Sequence, residues 1–126
     1  FIASKGDCTS FLKQSSAGLL ARIGCRTNLF ETPGSAFFAV ISGSNITEQT
    51  GMEELTTDGT LSDSSVTYEV LSAAREGNEK SSIFIDGTER SKNCRGLNFV
   101  VYQNDTKRVI DSVCFDTGAD TNPAVR

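Results

Sequence analysis

Four cysteines constrain the fold of this chain more than any other feature, since each bond between them would hold two distant segments together. They are Cys8, Cys25, Cys94 and Cys114, and an even count of four allows three pairings. None lies in a Cys-x-x-Cys spacing, and because the chain has no histidine a zinc site would need four thiolates from scattered positions. We therefore expect disulfides, no metal or other cofactor, and an oxidising compartment.

Two further patterns agree with a secretory route. The triplets that begin at Asn45 and Asn104 are Asn-Ile-Thr and Asn-Asp-Thr, and both match the N-glycosylation sequon. The chain also opens on the apolar run Phe1-Ile2-Ala3 without an initiator methionine, which predicts that a leader or another segment preceded it. The sequence thus predicts a secreted glycoprotein with Asn45 and Asn104 as acceptors.

Length and charge limit the classes of partner. A chain of 126 residues fits a single domain with one main core. The net charge of -4 includes no basic stripe that would neutralise a phosphate backbone, so nucleic acid is not expected as a partner. No apolar run approaches the roughly 18 residues that a membrane-spanning helix needs, so we expect no membrane insertion.

The first half of the chain predicts one helix and one buried strand. Leucine and isoleucine recur at helical spacing over residues 10–23, and Gly24 supplies a stop signal. The continuous apolar run 36–42 is typical of a strand buried on both faces. Residues 44–64 are polar and rich in Thr, Ser, Glu and Gly, which favours a long surface loop.

The second half predicts strands throughout. Residues 66–71 alternate, 82–85 form a short run, and 97–102 with 109–115 make a hairpin that turns near Asn104. The expected fold is therefore α/β in the α+β sense. It is a compact single domain, with a mixed sheet or sandwich, a hairpin in the C-terminal half and one main helix.

The hairpin places Cys94 nearly opposite Cys114, which makes a bond across it geometrically reasonable. The remaining pair, Cys8 and Cys25, conflicts with the predicted helix, which would hold them about 25 Å apart. Either the helix begins after residue 10, or Cys8 pairs with Cys114 and Cys25 with Cys94, or the reverse combination holds.

Catalytic motifs are weak on every route. Asp116-Thr117-Gly118 after an apolar strand matches the active-site triplet of retroviral-type aspartic proteases, but that fold needs far more chain after the triplet than the eight residues here. Without histidine, no Ser-His or Cys-His pair can form. Glu53-Glu54 lies in the predicted loop and suits a solvated face better than an acid and base pair. We expect no enzymatic activity.

Four short segments of the second half are informative when taken together: 81–89 (Ser-Ser-Ile-Phe-Ile-Asp-Gly-Thr-Glu), 95–101 (Arg-Gly-Leu-Asn-Phe-Val-Val), 109–111 (Val-Ile-Asp) and 115–117 (Phe-Asp-Thr). They resemble the interleukin-like EMT inducer family, also called PANDER-like. In that family, a helix, a strand, a second helix and a final strand follow Phe-Asp-Thr, whereas here the matching features lie at the N-terminus. The resemblance therefore implies one domain, 1–126, with its halves in swapped order: 1–43 matches the second half, 44–64 connects, and 65–126 matches the first half. A circular permutation or a chain cut from a tandem array would each give this order.

The resemblance implies a non-catalytic fold that binds ligands. Relatives include the stem of a glycosyltransferase, which implies a lectin-like, carbohydrate-binding role with carbohydrate or glycoprotein as partner. They also include cytokine-like proteins, which imply the alternative of a secreted signal that binds a receptor. Polar side chains that would hold sugar hydroxyls are Arg95, Asn98, Asp116 and Asp120. A small lectin with one weak site gains from multivalency, so we also expect self-association.

Overall fold

Strands dominate the computed structural model, which describes residues 1–9, 14–61, 65–75, 77–115 and 124–125. The helical elements are α1 (Gln14–Arg22) and a short 3-10 helix (Leu29–Glu31). The strands are β1 (Ile2–Lys5), β2 (Ala36–Ser42), β3 (Asn45–Gly51), β4 (Leu55–Thr60), β5 (Thr67–Ala73), β6 (Lys80–Ile85), β7 (Thr88–Glu89), β8 (Gly96–Gln103), β9 (Arg108–Phe115) and β10 (Ala124–Val125).

The sheet branches at β1. Along one side β1 pairs antiparallel with β8, from Ile2 opposite Phe99 to Lys5 opposite Gly96. Along its other side it pairs first with β2 and then, at Lys5, in parallel with β5. The branch creates two limbs. The first limb has the order β3-β2-β1-β8-β9-β10, and the second has the order β4-β5-β6-β7.

Two buried serines close the branch point. As β1 leaves β2 to reach β5, the N–H of Phe37 loses a strand partner and donates instead to Ser4 Oγ at 2.8 Å. Ser72 Oγ donates to the carbonyl of Ser4 at 2.6 Å and lies 2.9 Å from Ser4 Oγ. Both serines are fully buried, so these bonds satisfy main-chain groups that water does not reach.

The two limbs pack against each other, and the helical segment covers the outer side of the first limb. Between the limbs lie Ala3, Ala36, Phe38, Val40, Leu55, Leu61, Val66, Val70, Ile83, Ile85 and Val100. On the helix side lie Ile2, Cys8, Leu20, Cys25, Leu29, Phe37, Ala39 and Leu97. Strand β2 contributes alternate residues to both cores, which is why its sequence is apolar without a break. The expected fold class, one compact domain with a mixed sheet and one main helix, is confirmed.

The loop predicted over residues 44–64 is wrong for most of its length. Strands β3 and β4 occupy it, and β3 forms a tight hairpin with β2 through Gly43 and Ser44. Both strands lie at limb edges, where most side chains face water. Their polar composition therefore reflects exposure and not irregular structure. Leu55 and Leu61 still reach the core between the limbs.

The predicted helix is described by the structure only from residue 14 onward. It spans Gln14–Arg22, whereas the predicted range 10–23 begins in residues 10–13, outside the described part. Of the predicted apolar stripe, Leu20 is buried, while Leu19 and Ile23 are 60% and 45% exposed.

One disulfide forms in the structure. Cys94 and Cys114 are bonded with their Cα atoms 6.1 Å apart, as the hairpin geometry predicts. Cys8 and Cys25 are free thiols, so the expectation of two disulfides is corrected. Both thiols lie in the helix-side core, where burial raises the pKa of Cys8 to about 12 and that of Cys25 to about 11.

Candidate functional site

A shallow pocket of about 610 Å³ opens at one end of the second limb. Across it the pairing of β4, β5 and β6 sets Asp58 opposite Glu69 and Glu69 opposite Phe84. Directly opposite residues share a face of the sheet, so two carboxylates and an aromatic ring form one row. The hydroxyls of Thr60 and Thr67, also an opposed pair, stand beside this row toward the end of the strands.

Gly59 and Tyr68 form the next rung of the sheet, so their side-chain positions face the core and not the row of Asp58, Glu69 and Phe84. Gly59 lies opposite Tyr68, and a Cβ placed on Gly59 would come 2.8 Å from the Tyr68 hydroxyl. Any side chain at position 59 would therefore displace the tyrosine. Tyr68 in turn packs against Phe1, with ring centroids 5.4 Å apart, so its ring belongs to the core between the limbs, behind the strands that carry the row.

The two carboxylates carry uncompensated charge. Like charges directly opposite each other on neighbouring strands destabilise a sheet. The ion pairs in the described part of the chain, Arg75 with Glu53 and Lys80 with Glu54, lie at the far end of β4 and β5 and leave Asp58 and Glu69 without a basic partner. Both are exposed, so water solvates them in the free protein.

Of the residues that the sequence nominated for ligand binding, Arg95 and Asn98 lie away from this pocket. Because Lys5 is opposite both Gly96 and Ala73, Arg95 lies at the Ala73 end of β5, about 20 Å from the pocket at Thr67. Arg95 is exposed. Asp116 and Asp120 lie outside the described residues.

Asn98 serves the fold. Its side chain is fully buried, and its Nδ2 donates to the carbonyls of Cys94 at 2.8 Å and Ala3 at 3.3 Å. Its Oδ1 accepts the N–H of Cys94 at 2.9 Å. These bonds hold the turn that leads from the disulfide into β8, and they leave the amide without a surface to offer a sugar.

Both glycosylation sequons lie at hairpins at the same end as the pocket. Asn45 is exposed where β2 turns into β3. Asn104 is half-buried in the turn between β8 and β9. In the described residues no cluster of three or more metal-ligating side chains occurs. Nor does that part of the chain contain a helix long and apolar enough to cross a bilayer.

The residues of the pocket were missed for different reasons. Glu69 falls in the predicted strand 66–71, and its alternation with Tyr68 and Val70 already places it on an outer face. Asp58 falls in the predicted loop 44–64, so the sequence analysis gave it no strand partner. Without β4, nothing in the sequence indicates that Asp58 meets Glu69.

Comparisons with known proteins give no relative on which to base a function. No protein-family model matches the sequence, and no curated protein or solved structure matches it either.

Proposed function

We propose that this chain is a secreted, non-catalytic carbohydrate-binding domain, and that the pocket on β4, β5 and β6 holds the sugar. The observation that carries the proposal is the row of Asp58, Glu69 and Phe84. A sugar presents hydroxyls around its rim and C–H groups on its faces. Carboxylates accept hydrogen bonds from hydroxyls, and an aromatic ring packs against C–H groups.

The shape of the pocket suits a sugar better than an apolar ligand. The pocket is open, and its lining includes two carboxylates and two threonine hydroxyls beside the ring of Phe84. Small apolar ligands are held instead in enclosed pockets with few polar groups. Each sugar hydroxyl that exchanges a water for a protein acceptor keeps its hydrogen bond, and the hydroxyls that face out of an open site stay hydrated.

The exposure of the two carboxylates supports binding without catalysis. A glycosidase also uses two carboxylates, but one must act as an acid and needs apolar surroundings to stay protonated. Asp58 and Glu69 are both solvated. The resemblance to PANDER-like domains also favours binding. Secretion is supported by the Cys94–Cys114 disulfide.

A glycan array on the disulfide-intact protein tests the proposal. We expect binding to a subset of glycans, and for the best one Phe84→Ala and Asp58→Asn each weaken affinity by about tenfold or more, since each removes a contact worth about 1.4 kcal/mol. Phe30→Ala is the matched control, because Phe30 is 45% exposed on the 3-10 helix away from the pocket.

A further variant separates this pocket from the residues nominated by the sequence. Arg95→Ala should leave affinity unchanged, and a loss confined to Arg95→Ala in a folded sample would move the site to that end of the sheet. If the folded protein binds no glycan above background, the proposal fails. The receptor-binding role implied by the cytokine-like relatives would then be the one to pursue.

A further inference from the structure

Strand β3 forms one edge of the first limb, and none of the described residues offers that edge a strand partner. Main-chain groups point alternately to the two sides of a strand. Because the N–H of Phe37 points toward β1, that of Phe38 points toward β3. Phe38 lies opposite Gln49, so Gln49 turns its own main-chain groups toward β2. Those of its neighbours Glu48 and Thr50 therefore point outward, away from the sheet.

The usual protection of a sheet edge is absent from this strand. Exposed edges recruit strands of other chains unless lysine, proline or a bulge blocks them. The sequence of β3, Asn-Ile-Thr-Glu-Gln-Thr-Gly, has neither lysine nor proline, and its pairing with β2 is regular over seven residues. Its one charged side chain, Glu48, accepts the N–H groups of Arg26 and Thr27 and so is held against its own chain. The edge is open to pairing unless something else covers it.

Asn45, Thr47 and Gln49 form an exposed strip along the same strand. Alternate residues of a strand share a face, and all three side chains on this face are exposed. Asn45 and Thr47 are the acceptor and the hydroxyl residue of an N-glycosylation sequon. Both sequon residues therefore lie on an open face, at the start of the uncovered edge.

The second sequon lies in a different environment. Asn104 is half-buried in the turn between β8 and β9, and its Oδ1 is shielded from water. The hydroxyl of Thr106, which completes this sequon, donates to Gln103 Oε1 at 3.0 Å within the same turn. A glycan is bulky and needs a surface position, so a glycan on Asn104 would have to pull the amide out of this turn.

We propose that Asn45 carries an N-linked oligosaccharide, that Asn104 does not, and that the glycan on Asn45 keeps the edge of β3 from pairing with a second copy of the chain. The inference rests on the secretion that is part of the proposed function. In the transfer, Asn45 Nδ2 displaces the diphosphate from C1 of a lipid-linked oligosaccharide. The C1–O bond breaks, an N–C1 bond forms, and the amide loses one proton as the lipid diphosphate leaves. The attached glycan is hydrophilic and bulky, so a second strand cannot approach beside it.

The modification is tested on the full chain produced in mammalian cells behind a heterologous signal sequence, so that entry into the secretory pathway is ensured. We expect the mass of one glycan, and after enzymatic release by an amidase the resulting aspartate should lie at position 45 alone. Thr47→Ala should remove the glycan and leave Asn45 in place. Thr106→Ala, the matched change in the other sequon, should leave the glycan mass unchanged. An unmodified Asn45, or a glycan on Asn104, in the secreted protein would overturn the proposal.

Sedimentation velocity tests the role of the glycan at the edge. The glycosylated protein should sediment as a monomer at concentrations at which Thr47→Ala associates. In the Thr47→Ala background, Gln49→Lys places a charge on the exposed strip and should restore the monomer. Thr88→Lys, at an exposed residue on β7 of the second limb, adds the same charge elsewhere and should not.

Two results would overturn this role. One is a Thr47→Ala variant that stays monomeric, which would show that the bare edge does not pair. The other is association that Gln49→Lys and Thr88→Lys reduce equally, which would make net charge the cause. The sugar-binding proposal fails separately: if the glycosylated monomer binds nothing on the glycan array, the pocket loses its assigned ligand, while the modification of Asn45 stands on its own mass and peptide data.

Discussion

Asn98 shows how much one buried amide does in this fold. It holds three main-chain groups, two on Cys94 and one on Ala3, and so ties the disulfide turn to the central strand. The sequence analysis nominated Asn98 as a residue that would hold sugar hydroxyls. Its polarity, however, serves backbone groups that the sequence does not reveal.

Replacing Asn98 by leucine should lower the free energy of unfolding by about 2 to 4 kcal/mol, because it leaves buried N–H and C=O groups without partners. Urea unfolding measures the loss. Gln49→Ala, at an exposed amide on β3, is the control and should change stability by no more than about 0.5 kcal/mol. A loss for Asn98→Leu as small as that of the control would show that water replaces the lost bonds.

The two free thiols are shielded by their surroundings. Burial disfavours the thiolate, which is the reactive form, and raises the pKa of Cys8 to about 12 and of Cys25 to about 11. We expect iodoacetamide at about pH 8 to label neither cysteine in the folded protein and both in guanidinium, with peptide mass spectrometry as the readout. Rapid labelling of Cys8 in the native state would contradict its burial.

Glu48 on β3 holds the segment that follows α1 against the sheet through hydrogen bonds. Its carboxylate accepts the N–H groups of Arg26 at 2.8 Å and Thr27 at 2.6 Å, and the hydroxyl of Thr27 as well. Partial burial raises the pKa of Glu48, but the hydrogen bonds from Thr27 and Arg26 outweigh it and hold the pKa below its usual value.

A depressed carboxyl pKa contributes stability above the unfolded value of 4.5, and that contribution is lost as the pH falls through the lower folded value. Glu48→Gln should therefore be less stable than the wild type at neutral pH, and the difference should shrink below about pH 4.5. Urea unfolding across this range measures it. Glu31→Gln, at an exposed glutamate on the 3-10 helix, is the control. A difference independent of pH would mean that the charge of Glu48 is not involved.

The elements that the sequence predicted are those with a burial pattern of their own. Strand β2 is apolar on both faces, and the β8-β9 hairpin carries two strong strand runs around a turn. The edge strands β3 and β4 have one faintly apolar face each, and the pattern alone did not separate them from a loop. Because β4 was not predicted, the candidate pocket was not predicted either. Asp58 and Glu69 come together only through the pairing of β4 with β5.

At the scale of the whole molecule, β1 holds the two limbs together with only four residues. It contacts β2, β5 and β8, which come from three separate parts of the chain. In such a topology most contacts join residues that are far apart in the sequence. The two limbs can therefore come together only when long loops close during folding. The sequence could indicate the strands of this domain but not the branch, since a branch has no local pattern.

The Cys94–Cys114 bond is the one covalent constraint on this arrangement in the described residues, and it closes a sequence separation of 20. By loop-closure entropy the bond should stabilise the fold by about 3 kcal/mol, so the double variant with alanine at both positions should unfold at correspondingly lower urea. Reductant should bring the wild type to the stability of that variant and leave the variant itself unchanged. A further loss in the variant would reveal a second reducible bond, and Cys8 with Cys25 would have to supply it.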